Sequence, residues 1–108
     1  MTYRAVRYVL ALAKVQIVGP TSHSKETVSR AIEKALEARL ADLDESIAKL
    51  RDVVRGFEAK YAMTTETFSS RHAEGKLKEN LDYMEWRACK EILEDLIQER
   101  EMLQEVKA

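Results

Sequence analysis

Residues 36–61 read LEARLADLDESIAKLRDVVRGFEAKY. Leu36, Leu40, Leu43, Ile47, Leu50, Val54, Phe57 and Tyr61 recur in this stretch at alternating steps of four and three. That rhythm keeps one side of a helix apolar over several turns, and it is the a/d seam of a coiled coil or helical hairpin. A seam this long needs a partner helix, from the same chain or from another. Leu36, Leu40, Leu43, Ile47, Leu50 and Val54 are therefore expected at a partner or dimer interface, although the same residues also serve the fold.

Outward from the seam, the helix is expected to run from about Lys25 to Tyr61, about 55 Å at 1.5 Å per residue. Charges flank it at i,i+4 spacing, unfavourably in Glu33–Glu37 and favourably in Glu45–Lys49. Gly56 costs up to about 1 kcal/mol relative to alanine and suggests a close helix crossing. Thr64 is placed to cap a short second helix, with Glu66 in its first turn and Phe68 pointing inward. Gly75 suits the left-handed position after that helix, and Leu77 the hydrophobic contact beside it. A last helix begins after a cap at Asn80 and runs to about Val106. Trp86, Cys89, Leu93, Leu96 and Leu103 follow the same rhythm there, broken at Arg100. At about 40 Å it is long enough to pack back along the first.

The composition agrees with helices. Charged residues are 34% and hydrophobic residues 45% of 108, with three glycines and one proline, a poor mixture for a β-sandwich. One domain is the natural size. The formal net charge of −1 provides no global basic field for nucleic acid. The charge is uneven, however: no acid precedes Glu26, whereas Arg4, Arg7, Lys14 and Lys25 do. The single Cys89 cannot form an internal disulfide and fits a reducing cytoplasm.

Residues 1–18 read as an amphipathic segment. Arg4, Arg7 and Lys14 fall within about 80° on a helix, beside Val6, Val9, Leu10 and Leu12. A core or partner-packing helix is the plain reading, and a membrane-surface or targeting helix the other. The apolar run Tyr8–Ala13 is about a third of a membrane span, and it is short for a signal peptide. Gly19-Pro20-Thr21-Ser22-His23-Ser24 breaks the chain. The division is then 1–18 amphipathic segment, 19–24 linker, 25–108 helical hairpin. The charge discontinuity also raises Val28 as an alternative start codon.

Residues 57–86, FEAKYAMTTETFSSRHAEGKLKENLDYMEW, carry a resemblance. The stretch looks like a segment of small prokaryotic proteins with a Lys-Tyr-Gly-Met-Ser/Thr run, then Glu and Phe, Gly-x-Leu, an acidic stretch and Glu-Trp. The matching residues are Phe57, Lys60, Tyr61, Met63, Thr64, Glu66, Phe68, Gly75, Leu77, Asp82, Glu85 and Trp86. Such proteins are similar to antitoxin-like partners that bind and silence a small toxin, so the resemblance implies a protein partner of that kind. Ala62 stands where the pattern has Gly, which implies a less sharp helix end. Thr67 replaces an acid at N3, which removes half of a capping box. Read without the resemblance, Phe57, Tyr61, Met63, Phe68, Leu77 and Trp86 are the bulky packing groups of an elbow between two long helices.

The sequence contains little that points to catalysis. His23 and His72 have no second His or Cys at metal-ligand spacing, and His72 lies near Glu74. Cys89, on an apolar seam, reads as a small hydrophobe. Acid pairs such as Asp42–Asp44–Glu45 and Glu94–Asp95 suit a solvated helix face. A helical chorismate-mutase reading lacks the inward cations that a dicarboxylate needs. No cofactor is expected, and no enzyme activity. Ser24–Ile32 resembles the second helix of ribbon-helix-helix DNA-binding dimers, but a basic strand before it is missing. The expectation is an all-α hairpin that dimerises into a helical bundle and acts as an antitoxin-like interaction protein. The alternative is a small dimeric DNA-binding regulator, with Arg4, Arg7 and Lys14 as its nucleic-acid contacts.

Overall fold

The heptad rhythm is realised as one uninterrupted helix, α1, over Lys25–Tyr61. It is followed by α2 (Thr65–Ala73) and α3 (Leu81–Lys107). The structure, a computed structural model, describes residues 24–107. Arg4, Arg7, Lys14, the 1–18 segment and all of the 19–24 linker but Ser24 lie outside the described residues. Among the described residues there is no strand, and the fold is an all-helical hairpin. Contacts divide it into two units. One contains α1 up to Asp44 and α3 from Gln98; the other is Glu45–Ile97.

Each helix boundary has a local cause. Ser24 Oγ accepts the Thr27 N–H at 3.2 Å and caps α1. Thr64 Oγ1 accepts the Thr67 N–H at 3.1 Å, and Asn80 Oδ1 accepts the Tyr83 N–H at 2.7 Å. Both caps fall where the sequence put them. Helix α2 ends in a Schellman motif: the Lys76 N–H donates to Arg71 O at 3.0 Å and the Gly75 N–H to His72 O at 3.1 Å. Gly75 makes this possible at φ +70°, where a side chain is strained.

The end of α1 corrects the expectation drawn from Ala62. Ala62 adopts φ +52°, and the Met63 N–H donates to Glu58 O at 3.2 Å. The helix therefore stops sharply without glycine. The cost moves into backbone strain, roughly 1–2 kcal/mol for an L-residue in the left-handed region. Gly56 is a second correction. A Cβ built on it would meet nothing within 4 Å, so it marks no close crossing.

The second unit has an aromatic core. Val54, Phe68 and Trp86 are buried, with Phe57, Tyr61, Met63, Leu77, Tyr83, Cys89 and Leu93 packed against them. The Phe68 and Trp86 rings stack 4.0 Å apart at 4°, and Phe57 stacks on Trp86 at 5.8 Å. The first unit is aliphatic and ionic. Leu36, Leu43 and Leu103 are buried. Around them Arg39 grips Glu99 with two bonds, Nε–Oε2 at 2.7 Å and Nη2–Oε1 at 3.0 Å. Arg100 occupies the seam position where the α3 rhythm breaks. Its Nη1 donates to Asp44 Oδ1 at 3.2 Å, while its Nε is buried with no hydrogen-bond partner among the described residues. A buried unpaired donor costs about 1–3 kcal/mol, and a polar seam residue can fix register at the expense of stability.

Candidate functional site

Six of the residues that carry the resemblance, Phe57, Tyr61, Met63, Phe68, Leu77 and Trp86, meet at the elbow within the second unit. Phe57 and Tyr61 come from the last turns of α1, Phe68 from α2, and Tyr83 and Trp86 from the first turns of α3. Met63 and Leu77, in the two connections, pack against the same core. All six residues expected as elbow packing are thus brought together.

A hydrogen-bond chain runs into this core. Trp86 Nε1–H donates to Thr65 Oγ1 at 3.1 Å, and the Thr65 hydroxyl donates to Glu58 Oε2 at 3.1 Å. Glu58 Oε2 also accepts the Thr65 N–H at 2.8 Å. The carboxylate of α1 therefore caps α2 at the positive end of its dipole, and the buried indole keeps a partner. The acid absent at Thr67 is replaced by one from the preceding helix. Sequence reading missed Glu58, because its reach depends on the turn made at Ala62.

Two polar clusters border the aromatics. Asp82 Oδ2 accepts from Lys60 Nζ and from the Tyr61 hydroxyl, both at 2.5 Å. These bonds, that of Lys60 first, hold the Asp82 carboxyl below the usual carboxylate range. The same bonds raise Lys60 and Tyr61 above their ordinary values. In the second cluster, His72 meets Glu79 and Arg87; Glu74 instead pairs with Lys76 at 2.7 Å. His72 Nε2 lies 3.3 Å from Glu79 Oε2 and also touches Arg87 Nη1. One ring nitrogen cannot donate to the acid and accept from the guanidinium at once, so the two contacts are alternatives. Hydrogen bonds from His72 and then Arg87 lower Glu79.

This arrangement positions helices. The described neighbours of His72 are Phe68, Glu79 and Arg87, none of them a nucleophile. Cys89 is pushed up by burial and then by the Glu85 charge, the opposite of an activated thiol. Among the described residues no group of three His, Cys, Asp or Glu is placed to hold a metal ion. An open groove of about 300 Å³ lies in the first unit, lined by Ser29, Ile32, Glu33, Leu36, Val106 and Lys107.

Of the expected interface residues, Leu36, Leu43, Ile47 and Val54 are buried within the single chain, and Leu40 and Leu50 are half-buried. Among the described residues the large apolar side chains left exposed are Val53 on α1 and Leu81, Met84 and Ile92 on α3. No described helix is long and apolar enough to cross a membrane. Family models, curated proteins and solved structures yield no match to this chain.

Proposed function

We infer that this chain is a non-enzymatic helical interaction protein of the antitoxin-like kind, which binds and neutralises a small protein toxin. The observation that carries this reading is the exposed apolar surface of a hairpin whose seam is already filled. Leu81 is 82%, Ile92 49%, Met84 47% and Val53 38% exposed. Apolar surface of this kind on a thin helical layer is suited to another protein. The working form is a homodimer in the cytoplasm, consistent with one unpaired cysteine.

The test is purification of the tagged full chain from its native cells, with the complex sized by light scattering. The expected result is a stoichiometric small protein that arrests growth when expressed alone and is relieved by this chain. A chain that purifies alone, and whose co-expression relieves no growth arrest by neighbouring genes, overturns the reading.

A further inference from the structure

Leu81, Met84, Ala88 and Ile92 follow one another on α3 at steps of three, four and four. At 100° per residue they fall within an arc of about 80° and extend over about 16 Å, three turns of helix. All four are exposed, so this stripe is distinct from the buried side that carries Trp86 and Leu93. Its borders are acidic. Glu85 lies along one edge, Glu91 along the other, and Asp95 closes the C-terminal end. All three are exposed, and none is ion-paired among the described residues. The neighbouring cations are already engaged, Arg87 by Glu79 at 3.2 Å and Lys90 by Glu94 at 3.3 Å.

An apolar stripe at this spacing is how one helix receives another. Carboxylates on both edges select the charge of what lies there. A second copy of α3 does not fit. Antiparallel pairing about Ala88 runs Glu85 of both copies along one edge and Glu91 of both along the other, like charge beside like on each side. We propose that the Leu81–Ile92 stripe of α3 is a docking surface for a partner helix whose apolar face is flanked by lysine and arginine. This rests on the interaction reading above and specifies the chemistry of the partner's contact helix. Ala88, the small residue within the stripe, is the point of closest approach.

The test uses the full chain and a synthetic amphipathic helix of about five turns, leucine on one face and lysine on both flanks. Its counterpart has glutamate for every lysine. Fluorescence anisotropy of the labelled peptides is expected to show the lysine helix bound at least about tenfold more tightly. The Met84→Asp/Ile92→Asp variant is expected to lose that binding at unchanged circular dichroism. The Glu85→Lys/Glu91→Lys/Asp95→Lys variant is expected to invert the preference. Equal binding of the two peptides, or binding unchanged in both variants, overturns the proposal. So does a homodimer dissolved by Met84→Asp/Ile92→Asp, which makes a second copy the occupant. Faster tryptic cleavage after Arg7 in that variant also overturns it, since the chain's own beginning is then the cover. The probe is a designed helix, so failure here leaves the toxin reading standing, and the lack of a toxin leaves this one standing.

Discussion

The two units of the hairpin solve the same packing problem with different materials. The unit containing the elbow packs rings: Phe57, Tyr61, Phe68, Tyr83 and Trp86 make mutual contacts with centroids 4.0–6.5 Å apart. The unit where α1 begins and α3 ends packs Leu36, Leu43 and Leu103 and borders them with Arg39–Glu99 and Asp44–Arg100. Flat rings in stacked geometry specify direction as well as distance, each pair adding about 0.5–1.5 kcal/mol beyond its buried area. Leucines fill space and tolerate sliding, so register there falls to charged pairs such as Arg100 with Asp44. Orientation is thus set at the turn, and register at the ends of the helices.

The sharpest way to break this contrast is Trp86→Ala, expected to cost roughly 3–5 kcal/mol. Hydrogen exchange should show α2 losing protection before the first turns of α1. Leu103→Ala, in the aliphatic unit, is expected to cost roughly 2–5 kcal/mol in urea unfolding, with the elbow amides still protected. Equal loss of elbow protection in both variants would merge the two units into one.

Smaller substitutions sharpen the comparison. Glu58→Gln keeps the size but weakens the cap on α2 and the chain from Trp86. A loss of roughly 1–2 kcal/mol is expected, and unchanged stability would mean that the cap is idle. Ala62→Gly works in the other direction. It removes the left-handed strain and should stabilise by about 1 kcal/mol, read as a raised urea midpoint at unchanged slope.

The smallest effect is that of pH on the elbow. Asp82 is lowered on folding, so its contribution is present above the ordinary carboxylate range and fades as pH falls through its depressed value. Lys60 and Tyr61 are raised, so theirs is present below their ordinary values and fades as pH rises through the raised ones. Stability should therefore be flat near neutrality and fall at both extremes. Asp82→Asn should flatten both limbs, and a curve unaffected by that change would assign the pH dependence elsewhere.

What the sequence made legible was whatever is written at helical spacing or at a helix end. The 36–61 heptads defined α1, and Thr64, Gly75 and Asn80 marked the boundaries that their own hydrogen bonds create. The elbow residues were legible because aromatics at helical spacing are core. Glu58 capping Thr65, and Arg87 joining His72 to Glu79, were not legible, since such pairs meet only once the chain has turned. Ala62 shows why. A residue with no intrinsic taste for positive φ is held there by the packing on either side, so the sequence alone suggested a blunter end. The outward stripe of α3 was hidden for a related reason. Leu81, Met84 and Ile92 share a rhythm with the core residues, and only the position of α1 separates the covered side from the open one.

The chain has one tryptophan, and it is fully buried against Phe68 in the turn between the long helices. Its emission therefore belongs to the elbow alone. A blue-shifted spectrum reports a closed turn and a red shift its opening, without any label. Any partner that bends the hairpin will announce itself in the colour of the protein's own light.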